Sequence, residues 1–417
     1  MPQTFAEKIL AQKAGLKETV PGQIVEITPD VVLSHDNTAP ILGLFQRMGG
    51  VKVYDPDMHA VILDHATPAP TTKHAENHRI AREFVKEQGI NNFFDVGKGI
   101  CHQIMVESGL ALPGEVILGS DSHTPHSGVM GAFAAGIGRT EMASIWALGR
   151  IWLRVPESIK ISVSGKLEPG VTSKDLALKI IGDLKADGGL YMSVEWHGEA
   201  IQGLPISQRA TLTNLMAEMG AKNSYIPPDL IVFDYLEGRA RRDYKAIFPD
   251  DDATYADTVE YDGKSIEPMI ACPHTVDNVK PLSDVRGTAI DQAFIGTCTN
   301  GRLDDLAAAA EVLQGNKIAQ GKRMVVIPAS EEVYLAALQK GYLETFLKAG
   351  AVIESPGCGP CMGNHMGVPA AGEVTISTAN RNFKGRMGTK ESEVYLASPA
   401  VVAASAIAGE IQHPKDL

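Results

Sequence analysis

Short apolar runs alternate with segments of helical periodicity along most of the chain. This alternation predicts an α/β protein with largely parallel sheets, because parallel strands are joined by long connections that are usually helices. In open α/β sheets, ligands collect beyond the carboxyl ends of the strands, so the loops after these runs are the predicted lining of an active site. The runs with their following loops are HAVILDH, NNFFDVG, GEVILGSDSH, DQAFIGTCTN, KRMVVIPAS, AVIESPGCG, EVTISTAN and EVYLASPA.

The N-terminal segment predicts a short amphipathic helix. Thr4 and Glu7 have the spacing of a capping box. Phe5, Ile9 and Leu10 recur at an interval that places them on one helix face. The long apolar stretch and cleavage site of a signal peptide are missing from this segment, which favours a cytoplasmic protein.

The middle of the chain differs in pattern from the two ends. Residues 225–275 are rich in Pro, Asp and Tyr and show weak periodicity, whereas the flanking parts alternate regularly. A chain of 417 residues is also too long for one comfortable core. We therefore predict three α/β domains, at residues 1–156, 157–283 and 284–417.

The net charge of the chain limits the kinds of molecule that it can bind. The formal net charge is −12, from 50 acidic and 38 basic residues. Neither a nucleic acid nor an anionic membrane surface would be attracted by this balance, so we expect neither as a partner. An anionic substrate would need a local cationic pocket. Five cysteines, an odd number in a long chain, are untypical of a secreted disulfide framework and favour a reducing compartment.

Three of the cysteines are candidates for holding a metal or a cluster. Cys298 lies in GTCTNGR, and Cys358 and Cys361 lie in PGCGPCMGNH. Three thiolates that converge on one point leave a coordination position open, which suits a Lewis-acid catalyst. Cys101 and Cys272 have no partner at ligand spacing, so we expect them to pack in the core.

Other interpretations of these cysteines stay open on spacing alone. The Cys358 to Cys361 tetrad has the form of a thioredoxin redox motif, but the glycine-rich segment after it is a poor helix start. His365 would complete a tetrahedral zinc site with the three cysteines. Cys298 would otherwise be a small buried hydrophobic residue, with the tetrad a coincidence of loop composition.

Short loops after the apolar runs carry Asp and His together. DHATP contains Asp64 and His65, GICHQ contains His102, and GSDSHT contains Asp121 and His123. A carboxylate next to an imidazole fixes its tautomer and raises its basicity. One such loop is more often a turn with an exposed histidine, but several are typical of an acid and base site.

Two further motifs supply amides, a carboxylate and arginines. Asn214 and Glu218 are four residues apart, which places them on one face of a helix that is either functional or simply solvated. TANRNFKGRMG brings Asn380, Arg381 and Arg386 into a loop after a predicted strand. Arginine binds carboxylates in a bidentate manner, so this loop is the predicted cationic pocket, although exposed loop arginines would give the same pattern.

Eight motifs occur in the order and approximate spacing of the aconitase superfamily, and the chain resembles that family from its first helix to its C-terminus. The resemblance implies a three-domain α/β/α assembly around one [4Fe-4S] cluster per subunit. It implies that Cys298, Cys358 and Cys361 hold this cluster and leave one iron open for substrate. The motifs are HDNTAP, DHATP, GICHQ, GSDSHT, NLMAEMGA, GTCTNGR, PGCGPCMG and NRNFKGRMG.

The resemblance also implies roles for the polar residues. Asp64 and His65 match the pair that donates a proton to the leaving hydroxyl, and the other catalytic positions form supporting pairs. The catalytic positions are Asp64, His65, His102, Asp121, His123 and Glu218. The substrate-binding positions are His35, Asp36, Asn214, Asn380, Arg381 and Arg386.

One departure from the family predicts a partner. Single-chain aconitases continue into a swivelling fourth domain, whose Gly-Ser-Ser-Arg-like loop carries the serine base, and this loop is not found in the sequence. A separate small subunit is therefore expected to supply the serine base, as in the two-subunit members of the family.

The expected activity is a hydro-lyase that dehydrates and rehydrates a small anionic 2-hydroxy acid through a cis-alkene. The first substrate is 3-isopropylmalate, followed by homocitrate or homoisocitrate, then dimethylmalate or citrate. An iron-responsive RNA-binding protein and a zinc hydrolase are the alternatives from other classes.

Overall fold

The computed structural model describes residues 1–363 and 365–417. The chain forms three parallel or mostly parallel sheets with helices packed against them, and a small antiparallel ribbon. Among the described residues, no helix combines the length and the apolar character needed to cross a bilayer.

The first unit is built on a five-stranded parallel sheet of order β4-β3-β2-β5-β6. A two-stranded antiparallel ribbon, β1 with β7, lies beside it. The elements are α1 (Phe5–Lys13), β1 (Ile24–Ile27), β2 (Val31–Ser34), α2 (Thr38–Arg47), β3 (His59–Ile62), α3 (Thr72–Gln88), β4 (Asn92–Phe94), α4 (Cys101–Glu107), β5 (Val116–Gly119), β6 (Phe133–Gly136), α5 (Arg139–Leu148) and β7 (Ile151–Arg154).

The second unit is built on a four-stranded parallel sheet of order β10-β9-β8-β11. Its core packs α6 and α8 against the apolar face of β8 and β9. The elements are β8 (Ser158–Ser164), α6 (Ser173–Leu184), β9 (Ser193–His197), α7 (Glu199–Gln202), α8 (Ile206–Leu215), β10 (Asn223–Tyr225), α9 (Leu230–Leu236) and β11 (Asp257–Asp262).

The third unit is a seven-stranded sheet of order β13-β12-β18-β17-β14-β15-β16, parallel except for the pairs that β12 makes. The elements are β12 (Met269–Ala271), β13 (Val279–Pro281), α10 (Leu282–Val285), β14 (Gln292–Ile295), α11 (Thr297–Asn300), α12 (Leu303–Leu313), β15 (Arg323–Val326), α13 (Glu331–Gln339), α14 (Tyr342–Ala349), β16 (Val352–Ile353), β17 (Val374–Ser377), β18 (Glu393–Leu396) and α15 (Pro399–Ala408).

The predicted mixture of helices with largely parallel sheets is confirmed. The division into three domains at residues 156 and 283 stays a prediction. By strand pairing, the seven-stranded sheet also takes in β12 and β13, which precede residue 284. This pairing is long-range, since Ala271 in β12 lies opposite Leu396 in β18.

The predicted N-terminal helix is present with its capping box. The Thr4 side chain accepts from the Glu7 amide, and the Glu7 carboxylate accepts from the Thr4 amide. Phe5 stacks on Tyr225 with ring centroids 3.6 Å apart, and the Phe5 amide donates to Glu195 at 2.8 Å. The helix therefore ties the first unit to the second.

Candidate active site

The segments that follow eight parallel strands meet at one cavity of about 230 Å³. The first unit contributes those after β2, β3, β4, β5 and β6, and the third unit contributes those after β14, β16 and β17. Their convergence follows from parallel pairing, which brings the carboxyl ends of neighbouring strands to the same edge. The predicted residues that line the cavity are His35, His65, His102, Asp121, His123, Cys298, Cys358, Cys361, Asn380, Arg381 and Arg386.

The other predicted site residues lie directly behind this lining. Asp36 and Asp64 support the loop of His65, and Glu218 contacts two lining side chains. Asn214 reaches the sulfur of Cys298 from α8. The structure thus brings all of the sequence-predicted residues together, some in the lining and some behind it.

We call the lining from the first unit the histidine wall, defined by His35, His65, His102, Asp121 and His123. Its chain of contacts runs through Asp121. Asp121 Oδ1 lies 2.7 Å from His102 Nε2, and Asp121 Oδ2 lies 3.5 Å from His65 Nε2. Several imidazoles thus share one carboxylate, which holds their rings in fixed orientations.

His65 is arranged to carry a proton. Its Nδ1 lies 2.6 Å from Asp64 Oδ1, on a carboxylate that is fully buried. Burial opposes the charged imidazolium, but Asp64, Cys358 and Asp121 outweigh it and raise the pKa of His65 well above its usual value. Burial and the adjacent His65 lower the pKa of His35 to about 4, so the two stacked rings differ in charge.

Asp36 stabilises the loop that carries His65. Its carboxylate accepts from the backbone amides of Asp64, His65 and Ala66 at 2.8–3.1 Å, and it contacts His78 Nε2 at 2.8 Å. Burial would raise the pKa of Asp36, but the hydrogen bond with His78 and the nearby His65 outweigh this and hold the pKa well below its usual range. Asp36 therefore stays ionised as a support.

Glu218 joins the histidine wall to the arginine loop. Its Oε1 lies 2.7 Å from His123 Nε2, and Arg381 Nε donates to Oε2 at 2.9 Å. Burial would raise the pKa of Glu218, but these two partners lower it below its usual value. A buried carboxylate shared between an imidazole and a guanidinium fixes the position of both.

We call the lining from the third unit the cysteine wall, defined by Cys298, Cys358, Cys361, Asn380 and Arg386. The three cysteines are buried, with 6%, 9% and 5% of their surface exposed. Cys298 lies in α11 directly after β14, and the other two flank and enter a 3₁₀ turn at Gly359–Met362.

The sulfur atoms of Cys298 and Cys361 receive hydrogen bonds from amide and guanidinium groups, whereas the Cys358 thiol donates to Asp64 Oδ2. Asn214 Nδ2 lies 3.2 Å from Cys298 Sγ, and Asn380 Nδ2 lies 3.5 Å from the same sulfur. Arg386 Nη2 lies 3.6 Å from Cys361 Sγ. Burial raises the pKa of Cys298 to about 12, so a thiolate there needs compensation by a metal and by such donors.

The spacing of the sulfurs bears on which group the cysteines hold. Zn–S bonds of about 2.3 Å put the sulfurs of a tetrahedral zinc site about 3.8 Å apart. Among the described residues, the sets of ligand atoms within 4.8 Å of one another do not include the three cysteine sulfurs. His365 Nε2 is engaged with the carbonyl of Pro68 at 2.7 Å. The donor set therefore fits a larger sulfur-ligated cluster better than a single zinc ion.

The redox alternative also lacks its structural context. A thioredoxin-type thiolate is stabilised by the start of an α-helix, whereas Cys358 precedes a single 3₁₀ turn. All five cysteines are free thiols. The prediction that Cys101 and Cys272 pack in the core is confirmed, since both belong to buried apolar clusters.

Sequence reasoning missed several residues that shape the cavity. Arg139, at the start of α5, lines it, and its only sequence signal is its place just after a short apolar segment that ends in glycines. Arg302, the last residue of GTCTNGR, is buried and donates to the carbonyl of Cys298 at 2.7 Å. His126 lies behind the cavity, with Nδ1 3.2 Å from Asn214 Nδ2.

The sequence profile of the aconitase family (aconitate hydratase) matches residues 7–288 and 283–409. The chain belongs to the aconitase family. This membership makes it a hydro-lyase, and it accounts for the α/β architecture and for the meeting of buried cysteines with Asp and His loops in one cavity.

Curated relatives of the family match over nearly the whole chain. The 3-isopropylmalate dehydratase large subunit 1 of Methanopyrus kandleri is 49% identical over 100% of this chain and 99% of the relative. The protein of the same name from Pyrococcus furiosus is 50% identical over 99% of each chain. The probable methanogen homoaconitase large subunit of Methanothermobacter thermautotrophicus is 48% identical over 99% of this chain and 97% of the relative.

Proposed function

We propose that this chain is the large subunit of a 3-isopropylmalate dehydratase, which interconverts 2- and 3-isopropylmalate by removing and restoring water. The observation that carries the proposal is the cavity itself. A proton-carrying His65 lines the same space as the cysteine wall, Arg381 and Arg386. This combination matches a substrate with a leaving hydroxyl and carboxylate groups.

We propose that Cys298, Cys358 and Cys361 hold one [4Fe-4S] cluster per subunit. Support comes from three buried thiols, two of which have amide or guanidinium donors at their sulfurs. It also comes from the ligand sets within 4.8 Å among the described residues, which do not include the three sulfurs. When bound, such a cluster supplies Lewis acidity toward a substrate hydroxyl at its uncoordinated corner. Asn214 and Asn380 hold the Cys298 sulfur in place.

The histidine wall handles the proton. His65, kept protonated by Asp64 and Asp121, donates to the departing hydroxyl, and the reverse transfer restores it on rehydration. His102 with Asp121, and His123 with Glu218, keep the neighbouring rings oriented. His35, stacked on His65, lines the pocket as a neutral ring.

The arginine loop binds the substrate carboxylates. Arg381 is oriented by Glu218. Arg386 contacts the sulfur of Cys361 and lines the cavity. Asn380 adds an amide beside them. A guanidinium matches a carboxylate in a bidentate geometry, and this fixes the hydroxyl of the substrate relative to His65.

A separate small subunit supplies the serine base that removes the carbon-bound proton. Support comes from relatives that match over 97–100% of their own length and are named large subunits. The same proposal places the protein in the cytoplasm, where five free cysteines stay reduced. It includes no nucleic-acid or membrane partner.

A homoaconitase large subunit is the second candidate, because a relative of that name is nearly as similar. The deciding experiment co-expresses the chain anaerobically with the small subunit encoded in the same genome. Equal concentrations of 3-isopropylmalate, homocitrate, dimethylmalate and citrate are then assayed. We expect the highest kcat/KM with 3-isopropylmalate. Preference for homocitrate would select the second candidate, and turnover of none of the four would refute both.

A further inference from the structure

Lys174 is a fully buried lysine that no sequence motif of the site includes. It is the second residue of α6, in the second unit, and 0% of its surface is exposed. Its Nζ donates to the carbonyl of Thr378 at 2.9 Å and to that of Ala379 at 2.6 Å. The side chain thus crosses to the third unit and ends directly beneath the loop after β17.

The surroundings of Lys174 make its burial costly. Both of its hydrogen-bond acceptors are neutral peptide carbonyls, and a buried ammonium is expensive unless it is fully hydrogen-bonded or paired with a charge. Burial lowers the pKa of Lys174 to about 7, although Asp305, Asp175, Cys361 and Cys298 act in the opposite direction. An apolar side chain in this position would avoid the cost, so the ammonium indicates a specific role.

The two carbonyls belong to the first two residues after β17, where the arginine loop begins and where it contacts the loop of Cys298. Thr378 and Ala379 immediately precede Asn380 and Arg381. The Thr378 hydroxyl accepts from the Gly296 amide at 3.0 Å, two residues before Cys298. Lys174 therefore binds the segment where the cysteine loop and the arginine loop are held against each other.

The neighbouring residues of α6 do not share this contact. The Asp175 carboxylate accepts instead from the amide of Thr172, just before α6, and from the amide of Met269 in β12. Lys179, one turn further on, is exposed and pairs with Asp183. Lys179 is thus a matched control on the same helix.

We propose that Lys174 is a positioning residue that fixes the segment from Thr378 to Arg386 relative to Cys298. The effect on a cluster and on turnover rests on the proposed function. The effect on the loop does not.

The test is hydrogen–deuterium exchange on the purified apoprotein, comparing wild type, Lys174→Met and Lys179→Met. We expect the peptides that cover residues 378–386 to exchange at least tenfold faster in Lys174→Met, with α6 unchanged. Lys179→Met is expected to match the wild type throughout. Equal exchange of residues 378–386 in the two variants would overturn the proposal, as would faster exchange spread evenly over the whole second unit.

Lys174→Gln is measured in parallel, because it keeps an N–H donor on a shorter side chain and is expected to be intermediate. If Lys174→Met does not fold, Lys174→Gln carries the same test, with wild-type exchange as the refuting result. After anaerobic cluster assembly, loss of visible absorbance in air should be severalfold faster for Lys174→Met than for Lys179→Met. Absence of turnover with every candidate acid would refute the proposed function but leave the exchange result on Lys174 intact.

Discussion

The two walls of the cavity have the same architecture but differ in how their buried polar groups are satisfied. Each consists of loops at the carboxyl ends of parallel strands. The histidine wall satisfies its own charges, because each buried carboxylate meets an imidazole, a guanidinium or backbone amides. The cysteine wall leaves three buried thiols, and burial raises the pKa of two of them, Cys298 and Cys358. We therefore expect the first wall to be complete in the folded chain and the second to be completed by the proposed metal group.

The largest expected effect breaks the cysteine wall alone. Cys298→Ser, Cys358→Ser and Cys361→Ser should each remove the visible absorbance of the reconstituted protein and reduce turnover to background, because the Lewis acid contributes several kcal/mol. Iron and sulfide analysis with visible spectroscopy checks this. Cys272→Ala, which changes a cysteine in the apolar core of the third unit, is the control, and this variant should keep the visible absorbance. Full colour in all three serine variants, or stoichiometric zinc in an active protein, would contradict the assignment.

The next effect breaks the histidine wall alone. His65→Gln should lower kcat by about 10² to 10⁴-fold, the usual contribution of a positioned acid or base, and should leave the cluster absorbance unchanged. Steady-state kinetics of the two-subunit enzyme measures the loss. His74→Gln, which changes an exposed histidine that contacts Thr71, is the control and should behave as wild type. A wild-type kcat for His65→Gln would remove His65 from the proposed role.

A smaller effect comes from the arginines that link the two walls. Arg381→Lys or Arg386→Lys keeps the positive charge but removes the bidentate guanidinium geometry. Each should lower kcat/KM by the equivalent of about 1.5 to 3 kcal/mol, the scale of a charged hydrogen bond. Arg82→Lys alters an exposed bidentate pair with Asp95 and should leave kcat/KM unchanged. Wild-type kcat/KM in both loop variants would show that neither arginine grips the substrate.

The smallest expected effect needs no mutation and is a difference in amide exchange between the two walls. Removal of the metal group by chelation and oxidation should speed amide exchange in residues 297–302 and 358–363, because that wall depends on the bound group. Residues 64–66 and 121–123 should change little, since their hydrogen bonds are made within the protein. Equal acceleration in both sets would mean that the walls depend on the group alike.

Local signals predicted the parts of the structure that depend on short spacings. The capping box of Thr4 and Glu7 is readable from four residues, and the alternation of apolar runs is enough to indicate parallel sheets. The loops with Asp and His were predictable because they directly follow strands. The resemblance to the aconitase superfamily supplied what spacing left open, including the choice of a cluster over zinc.

The missed features depend on contacts between distant segments. Lys174 reads as one more polar residue of an amphipathic helix, and its partners lie 204 and 205 residues further along the chain. Ala271 of β12 pairs with Leu396 of β18, and nothing in the short β12 segment indicates that partner. Arg302 looks like a surface residue until its guanidinium is seen to hold the Cys298 loop. Such residues become visible only when the fold brings their partners together.

The N-terminal helix has a consequence for the order of events on the ribosome. Phe5 is made first, but the carboxylate that accepts from its amide belongs to Glu195, 190 residues later. At about 5 to 20 residues per second, roughly 10 to 40 seconds pass before this partner is synthesised. Tyr225, on which the Phe5 ring stacks, follows later still. During that interval Phe5 lacks these two partners, whereas Ile9 and Leu10 belong to a core whose other members, apart from Tyr225, lie before residue 156. The first unit can therefore bury most of this helix before the contacts that tie it to the second unit exist.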